Sequence, residues 1–457
     1  MKRYTFCLLS SLLWLGACQP VLEPEPTDIL EDRLVLNEVK DVEPVRIGMY
    51  SALRSMASPI VIAGDFMADH IQFNGTFTDY RELGTKQITP ANGAVGALWG
   101  GIYSAIYAAN FMLEKLPQVS GVPEATRKSI LAEARFIRGF ANFMGAVTYG
   151  DIPQVTTTDP IANRNIPRTA KATILASVLT DYQEALKDLP ELGPTANPTV
   201  RGAYATKNTA RAAMARYYLY LRNWTQAEQM ATEVIRSGAY TLEPAYETIV
   251  TKDFTQESIL EVGYGLTDDP GTGNFALNNL LVGRREVIPS NQLVLALTSP
   301  ESGERIRTIG FDATNLRGND NGWTVRKHGT ASEDNNNIVL IRLAEMYLIR
   351  AEARAQLGRL TGANGAIADL NVLRSRAKAS QFTTGSQADV LAAVERERQY
   401  ELAFEGHRWY DLVRTGRAQA VMSAFTPNWD QRYELWPIPQ TEIQRNPALQ
   451  GRQNPGY

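Results

Sequence analysis

Residues Glu395 to Gly416 read ERERQYELAFEGHRWYDLVRTG. Glu395, Glu397, Glu401 and Glu405 alternate there with Arg396, Arg398 and Arg408. Glu397 and Glu401 stand four residues apart, on one face of a helix. Two carboxylates near an arginine can look like acid–base machinery. The spacing equally makes an ion-pair network that braces the helix against its neighbours, and that is the reading the stretch supports. His407 has no second histidine and no nucleophile beside it, and reads as structural.

Working upstream, helix follows helix. Ala388 to Glu405 forms one long helix. Ile338 to Leu357 and Ala363 to Ala377 form a helical hairpin, with Gly358 suited to a C-cap. Lys207 to Leu221 and Thr225 to Ser237 form another, turning at Asn223-Trp224. Ala172 to Leu189 is closed by Pro190. From Pro123 to Val147, Ile130, Ala134, Ile137, Ala141 and Met144 recur at three- and four-residue spacing, and Pro153 stops the run. From Gly93 to Leu116, Trp99, Ile102, Tyr103, Ile106, Ala109 and Leu113 do the same, which makes Trp99 a core residue.

The two hairpins share a design. Ala210, Ala213, Tyr217, Trp224, Ala227, Ala231 and Ile235 alternate small with large residues. Leu343, Tyr347, Ala351, Ala355, Gly358, Ala363, Ala366 and Leu370 repeat the alternation. Small residues let paired helices approach and large ones fill the groove opposite, as in tetratricopeptide packing with its period of about 34 residues. The predicted fold class is all-α dominated, with tetratricopeptide-like pairs interrupted by long loop and short-strand insertions. Pro59 to Gly93, Gly150 to Thr169 and Tyr240 to Asn337 read as non-helical, with a strand at Ile259 to Val262. Loops of such length in a compact protein are functional or disordered, and their aromatics argue for the former.

The chain has 457 residues, with 46 Lys+Arg against 49 Asp+Glu and a formal charge of −3. That balance leaves no basic footprint for nucleic acid. Cys7 and Cys18 are the two cysteines, and His70, His328 and His407 are scattered, so neither a Cys/His metal site nor a Cys–His nucleophile pair is expected. There is no phosphate loop and no H-E-x-x-H. Gly318-Asn319-Asp320-Asn321-Gly322 hints at a calcium loop but lacks the ordered acidic ligands of an EF-hand. No metal, cofactor or catalytic residue is expected.

The first 17 residues read as a lipoprotein signal peptide: Lys2 and Arg3, a short apolar run from Phe6 to Leu15, then Leu15-Gly16-Ala17-Cys18, which resembles a bacterial lipobox. Cys18 is the residue expected to carry the lipid. Residues 18–33, with Pro20, Pro24, Pro26 and several acids, read as a solvated leash rather than a domain. Residues 34–457 read as a single body, with no later segment apolar enough to span a bilayer.

Several segments together resemble the SusD/RagB family of outer-membrane nutrient-binding lipoproteins. They are the lipobox, AEARFIRGFANFMGAVTYGDIP (Ala132 to Pro153), the pair YLIRAEARAQLG and AIADLNVLRSRA, the stretch Glu395 to Gly416, and the closing ELWPIPQTEIQRNPALQGRQNPGY. The resemblance implies a helical body with a loop-built ligand face, an anchor on the outer face of the outer membrane, and a lid role over a TonB-dependent transporter of the SusC type.

A neutral glycan is held by aromatic rings stacked on sugar faces and by polar side chains bonding the hydroxyls. The loops at about 57–93 and 240–337 carry both. The ligand-binding candidates are Asp69, Gln72, Phe73, Asn74, Tyr80 and Arg81 in the first, and Phe275, Asn278 and Trp323 in the second. The expected ligand is an oligosaccharide. An oligopeptide is the alternative within the same family. A glycan-cleaving enzyme is the less favoured reading, since it needs a carboxyl pair about 5–9.5 Å apart across a cleft.

Overall fold

The computed structural model describes residues 35–193, 195–264, 277–329 and 336–457. The signal sequence, the leash and Cys18 lie outside them, as does Phe275. Helices α1 (Val39–Arg54), α2 (Gly93–Lys115), α3 (Glu124–Tyr149), α4 (Lys171–Asp188), α5 (Lys207–Tyr220), α6 (Trp224–Arg236), α7 (Leu343–Gln356), α8 (Ala366–Arg376) and α9 (Gln387–Glu401) stack in chain order. Each packs on the next from α1 to α8, and α9 packs back on α7. Neighbour-on-neighbour stacking of helical pairs is the solenoid arrangement that the small–large alternation predicted.

Local chemistry sets the helix ends. The Asn223 side chain accepts from the Gln226 N–H at the start of α6. Reciprocal capping boxes open α5 (Thr206 with Thr209) and α9 (Ser386 with Asp389). Close packing is set by small residues. At Gly139 of α3 a β-carbon would stand 3.0 Å from the Tyr182 ring of α4. Beside it Arg138 grips Asp181 through two hydrogen bonds of 2.9 and 2.7 Å. Trp99 is buried, against Tyr103 and Tyr149.

Short antiparallel strands pair two by two. They are β1 (Ile71–Phe73) with β5 (Val287–Pro289), β2 (Ile152–Pro153) with β3 (Arg168–Thr169), β4 (Ser258–Val262) with β8 (Ile338–Arg342), and β6 (Ile309–Phe311) with β7 (Trp323–Val325). The helix expected over Ile338 to Leu357 is therefore two elements. The run Ile338-Val339-Leu340-Ile341, β-branched at Ile338, Val339 and Ile341, pairs as a strand, and helix begins only at Leu343.

The stretches read as non-helical also need correction. The first overlaps the helix Ala57–Val61 and contains a π-helix at Ile62–Phe66 and a helix at Thr78–Thr85. The second contains Pro160–Asn163, and the third Tyr246–Thr251 and Asn291–Thr298. These helices are short, which periodicity detects poorly. Helix α9 stops at Glu401 rather than Glu405, because Phe404 and Gly406 take positive φ of 61° and 78° and turn the chain sharply.

Candidate functional site

The stretch from Glu395 is the junction on which the ligand-side loops are mounted. Asp65, on the π-helix, accepts from the Gly406 N–H at 2.6 Å and the Phe404 N–H at 3.3 Å, and the Nδ1 of His70 lies 2.7 Å from it. Arg408 donates to both oxygens of Asp69 at 2.8 and 2.9 Å. The second loop region is held by charge. Arg342 on β8 donates to Glu401 at 2.7 Å, Glu405 at 2.8 Å and Glu257 at 3.1 Å. Arg305 donates to Glu401 at 2.9 Å and also pairs with Glu397 at 2.5 Å. Arg374 pairs with Glu397, Arg376 with Glu257 and Glu401, and Lys327 with Glu405 at 2.6 Å. All these side chains are buried.

The network predicts acid sensitivity. Burial pushes the Glu405 carboxyl up, but Arg342 and Lys327 outweigh it and bring it to about 2. Glu401, with Arg376, Arg342 and Arg305 outweighing its burial, is held well below its ordinary value. A carboxylate depressed in the folded state takes up its proton first in the unfolded chain. Its stabilisation is thus complete above the ordinary value of 4.5 and is lost as pH falls toward 2. Glu405 alone accounts for on the order of 3 kcal/mol across that window. Denaturant midpoints at pH 7 and pH 3 measure it: a marked fall at pH 3 is expected, and equal midpoints would refute the assignment.

Above this base, β1 and β5 pair with Gln72 opposite Ile288. Where β1 ends, the Asn74 and Gly75 N–H groups donate to the Glu286 carbonyl at 2.9 and 3.0 Å. The Glu286 carboxylate then accepts from the Thr76 and Phe77 N–H groups at 2.6 and 2.8 Å. No side chain fits at Gly75, whose β-carbon would fall 2.0 Å from a Glu286 oxygen. Asn74 Nδ2 donates to the Arg285 carbonyl and to Asp320, both at 3.0 Å. Arg285 grips Asp320 bidentately at 2.8 and 2.6 Å. Asn74, Gly75, Thr76, Arg285, Glu286 and Asp320, with Arg284, Asn315, Arg317, Gly318 and Asn319, line a cleft of about 550 Å³.

The loop from Asp312 to Gly322, which supplies one cleft wall, joins β6 to β7. At its ends Phe311 and Trp323 are register partners on one face of the hairpin, with ring centroids 5.4 Å apart. Phe311 is 54 % exposed and Trp323 packs partly on the core. On the other face Thr324 meets the Arg285 guanidinium, and the Trp323 carbonyl accepts from Arg285 at 2.9 Å.

Of the residues expected at the site, Asn74 lines the cleft. Gln72 braces it, donating to the Asn319 carbonyl at 3.3 Å. Trp323 stands at the foot of its loop. Phe73 packs half-buried by Gly84. Arg81 is exposed on Thr78–Thr85 and is not among the cleft residues. Three expectations are corrected. Asp69 is buried and both its oxygens serve Arg408. Tyr80 is buried between Phe66 and Phe77. Asn278 is buried and its oxygen accepts from the Asn279 N–H. Sequence reasoning missed Phe311, Arg284, Arg285, Glu286, Asn315 and Arg317. A readable signal existed for three of them: Arg284-Arg285-Glu286 interrupts an apolar run, Leu280 to Pro289.

Two family models match separate parts of the chain: the SusD family over residues 312–457, and "Starch-binding associating with outer membrane" over residues 43–219. The SusD-like protein P38 of Formosa agariphila is 26 % identical, with 98 % of this chain and 99 % of that protein covered. The starch-binding protein SusD of Bacteroides thetaiotaomicron is 33 % identical over 143 residues, 28 % of this chain and 23 % of that protein. Among solved structures, a laminarin-binding SusD-like protein superposes with a TM-score of 0.77 at 24 % identity, covering 92 % of this chain and 100 % of that one. Surface glycan-binding protein A of Bacteroides fluxus gives 0.78 at 19 % identity, with the same coverage. Fold and sequence define a helix-dominated, SusD-like protein. Both family models, the curated relatives and the solved structures support the SusD/RagB family.

Proposed function

We propose that this protein captures oligosaccharide at the cell surface and passes it to a SusC-like TonB-dependent transporter, held to the outer membrane by a lipid on Cys18. Family membership supports glycan binding and association with the outer membrane, as the starch-binding relative and the outer-membrane family model do. The lipobox and the acidic leash support the anchor. Two acyl chains hold a protein stably on a membrane where one does not.

The observation that carries the binding role is the hairpin of β6 and β7. It presents an aromatic pair on one face, and its loop forms a wall of the polar cleft. Binding is favoured over cleavage by the state of the two cleft carboxylates. Burial pushes Glu286 up, but the Phe77 and Thr76 N–H groups and Arg284 outweigh it and hold it below its ordinary value. Arg285 and the Gly322 N–H do the same for Asp320 against its burial. A glycosidase needs a carboxyl that stays protonated to donate to the leaving oxygen, and neither group is so disposed.

Phe311→Ala tests the reading. The ring is largely exposed, so stability should be unchanged within about 0.5 kcal/mol. Loss of a stacking ring should weaken affinity for a bound polysaccharide by about 1–2 kcal/mol, roughly five- to thirty-fold. Trp323→Ala should weaken binding and also cost about 1–3 kcal/mol of stability, since that ring is partly in the core. Affinity electrophoresis and denaturation read both. An unchanged affinity in both variants would take the hairpin out of the site. Delivery is tested by gentle solubilisation of membranes: co-purification with a large outer-membrane barrel is expected, and recovery of free monomer alone would count against it.

A further inference from the structure

We infer that the cleft between β1, β5 and the Asp312–Gly322 loop takes an anionic sugar unit, one bearing a carboxylate or a sulfate ester. The inference rests on the glycan-binding reading above and narrows it, since the sequence suggested a neutral ligand. Three guanidiniums, of Arg284, Arg285 and Arg317, line the cleft against two carboxylates, of Glu286 and Asp320.

Both carboxylates are already saturated. Asp320 uses one oxygen for Arg285 and the Gly322 N–H, and the other for Arg285 and Asn74. Glu286 uses one oxygen for the Thr76 and Phe77 N–H groups, and the other for Arg284 and the Thr76 hydroxyl. Neither is left with an open acceptor face for the hydroxyls of a neutral sugar. Arg285 is spent on Asp320, Thr324 and the Trp323 carbonyl. Arg284 leans over the Phe77 ring at 4.2 Å while bonding Glu286.

Arg317 differs from them. It is exposed, lines the cleft, and has no carboxylate partner among the described residues. A guanidinium donates as a planar fork that matches the two oxygens of a carboxylate or sulfate. The cleft therefore presents a surplus positive charge and unused donors. The chain as a whole carries −3, so non-specific attraction of polyanions is not the default.

The test compares wild type, Arg317→Ala and Arg317→Glu against polygalacturonate and alginate (carboxylates), carrageenan (sulfate), and laminarin, starch and dextran (neutral). Binding is read by calorimetry at low and at physiological salt. Tighter binding of at least one anionic polymer than of any neutral one is expected, weakening as salt rises. Arg317→Ala should lose roughly tenfold or more for that polymer, and Arg317→Glu should abolish its binding, with melting temperatures unchanged. The carboxylate and sulfate arms identify which anion is read. Preference for a neutral polymer, or equal affinities in all three proteins, overturns the inference and leaves the glycan-binding reading standing. Binding to none of the six polymers overturns both.

Discussion

Replacing Glu401 with glutamine is expected to cost about 3–5 kcal/mol of folding stability, as removal of one partner from a buried ion pair does. Glu401 is fully buried, and its carboxylate serves three guanidiniums, those of Arg342, Arg376 and Arg305. The amide keeps the volume but removes the charge that compensates them. It also offers one acceptor oxygen where two were used. The surrounding groups cannot make up the loss, because Glu397 is already engaged by Arg305 and Arg374, and Glu405 by Arg342 and Lys327. Lys187→Gln is the matched control. It breaks a pair with Glu184 that lies at the surface, and should change stability by less than about 0.5 kcal/mol. Denaturant midpoints of the two variants measure the contrast, and a Glu401→Gln protein as stable as Lys187→Gln would show that the network holds nothing together.

Gly64→Ala is the second large effect, at about 3 kcal/mol or more, from one added methyl group. Overpacking in a tight interior costs about 1–3 kcal/mol where side chains can yield, and more where they cannot. At Gly64 they cannot. The new β-carbon would lie 2.1 Å from the Gly406 carbonyl oxygen and 2.4 Å from its α-carbon, both backbone. Relief requires the π-helix to move off the 404–406 turn. That movement would pull Asp65 away from the Gly406 and Phe404 N–H groups it accepts from. The same substitution at Gly96 of α2, where a β-carbon meets nothing within 4 Å, should be neutral or stabilising by up to about 1 kcal/mol. Similar melting curves for the two variants would disprove the close contact.

Helices α2 to α6 were legible because each is long enough for its apolar period to stand out over several turns. The alternation of Ala with Tyr and Leu carried the pairing as well. The site was legible only as a region. Asp69, Tyr80 and Asn278 belong to residue types that suit a sugar, yet each is buried: Asp69 is held by Arg408, Tyr80 lies between two aromatic rings, and the Asn278 oxygen accepts from a backbone N–H while its Nδ2 has no partner among the described residues. Nothing local to their sequence announces a partner such as Arg408, 339 positions away. The same distance effect hid the cleft. Asn74, Arg285 and Asp320 come together from three segments, and the Gly318–Gly322 run that looked like a cation loop has an arginine as the cation at Asp320.

Helices α6 and α7 pack directly on each other although the stretch 237–342 lies between them. That stretch leaves and re-enters the solenoid at adjacent points, so the helical stack runs past it unbroken. Its contents can therefore be exchanged as a cartridge, so long as the connector is kept. The connector is electrical as well as apolar: Glu257, Arg305, Lys327 and Arg342 are its pins, Arg374, Arg376, Glu397, Glu401 and Glu405 are the socket, and Ile259, Leu260, Ile338 and Ile341 share the main core with the helices. A transplant that matches the pins can bring a different cleft to the same scaffold. One that matches only overall size would leave buried charges facing empty contacts.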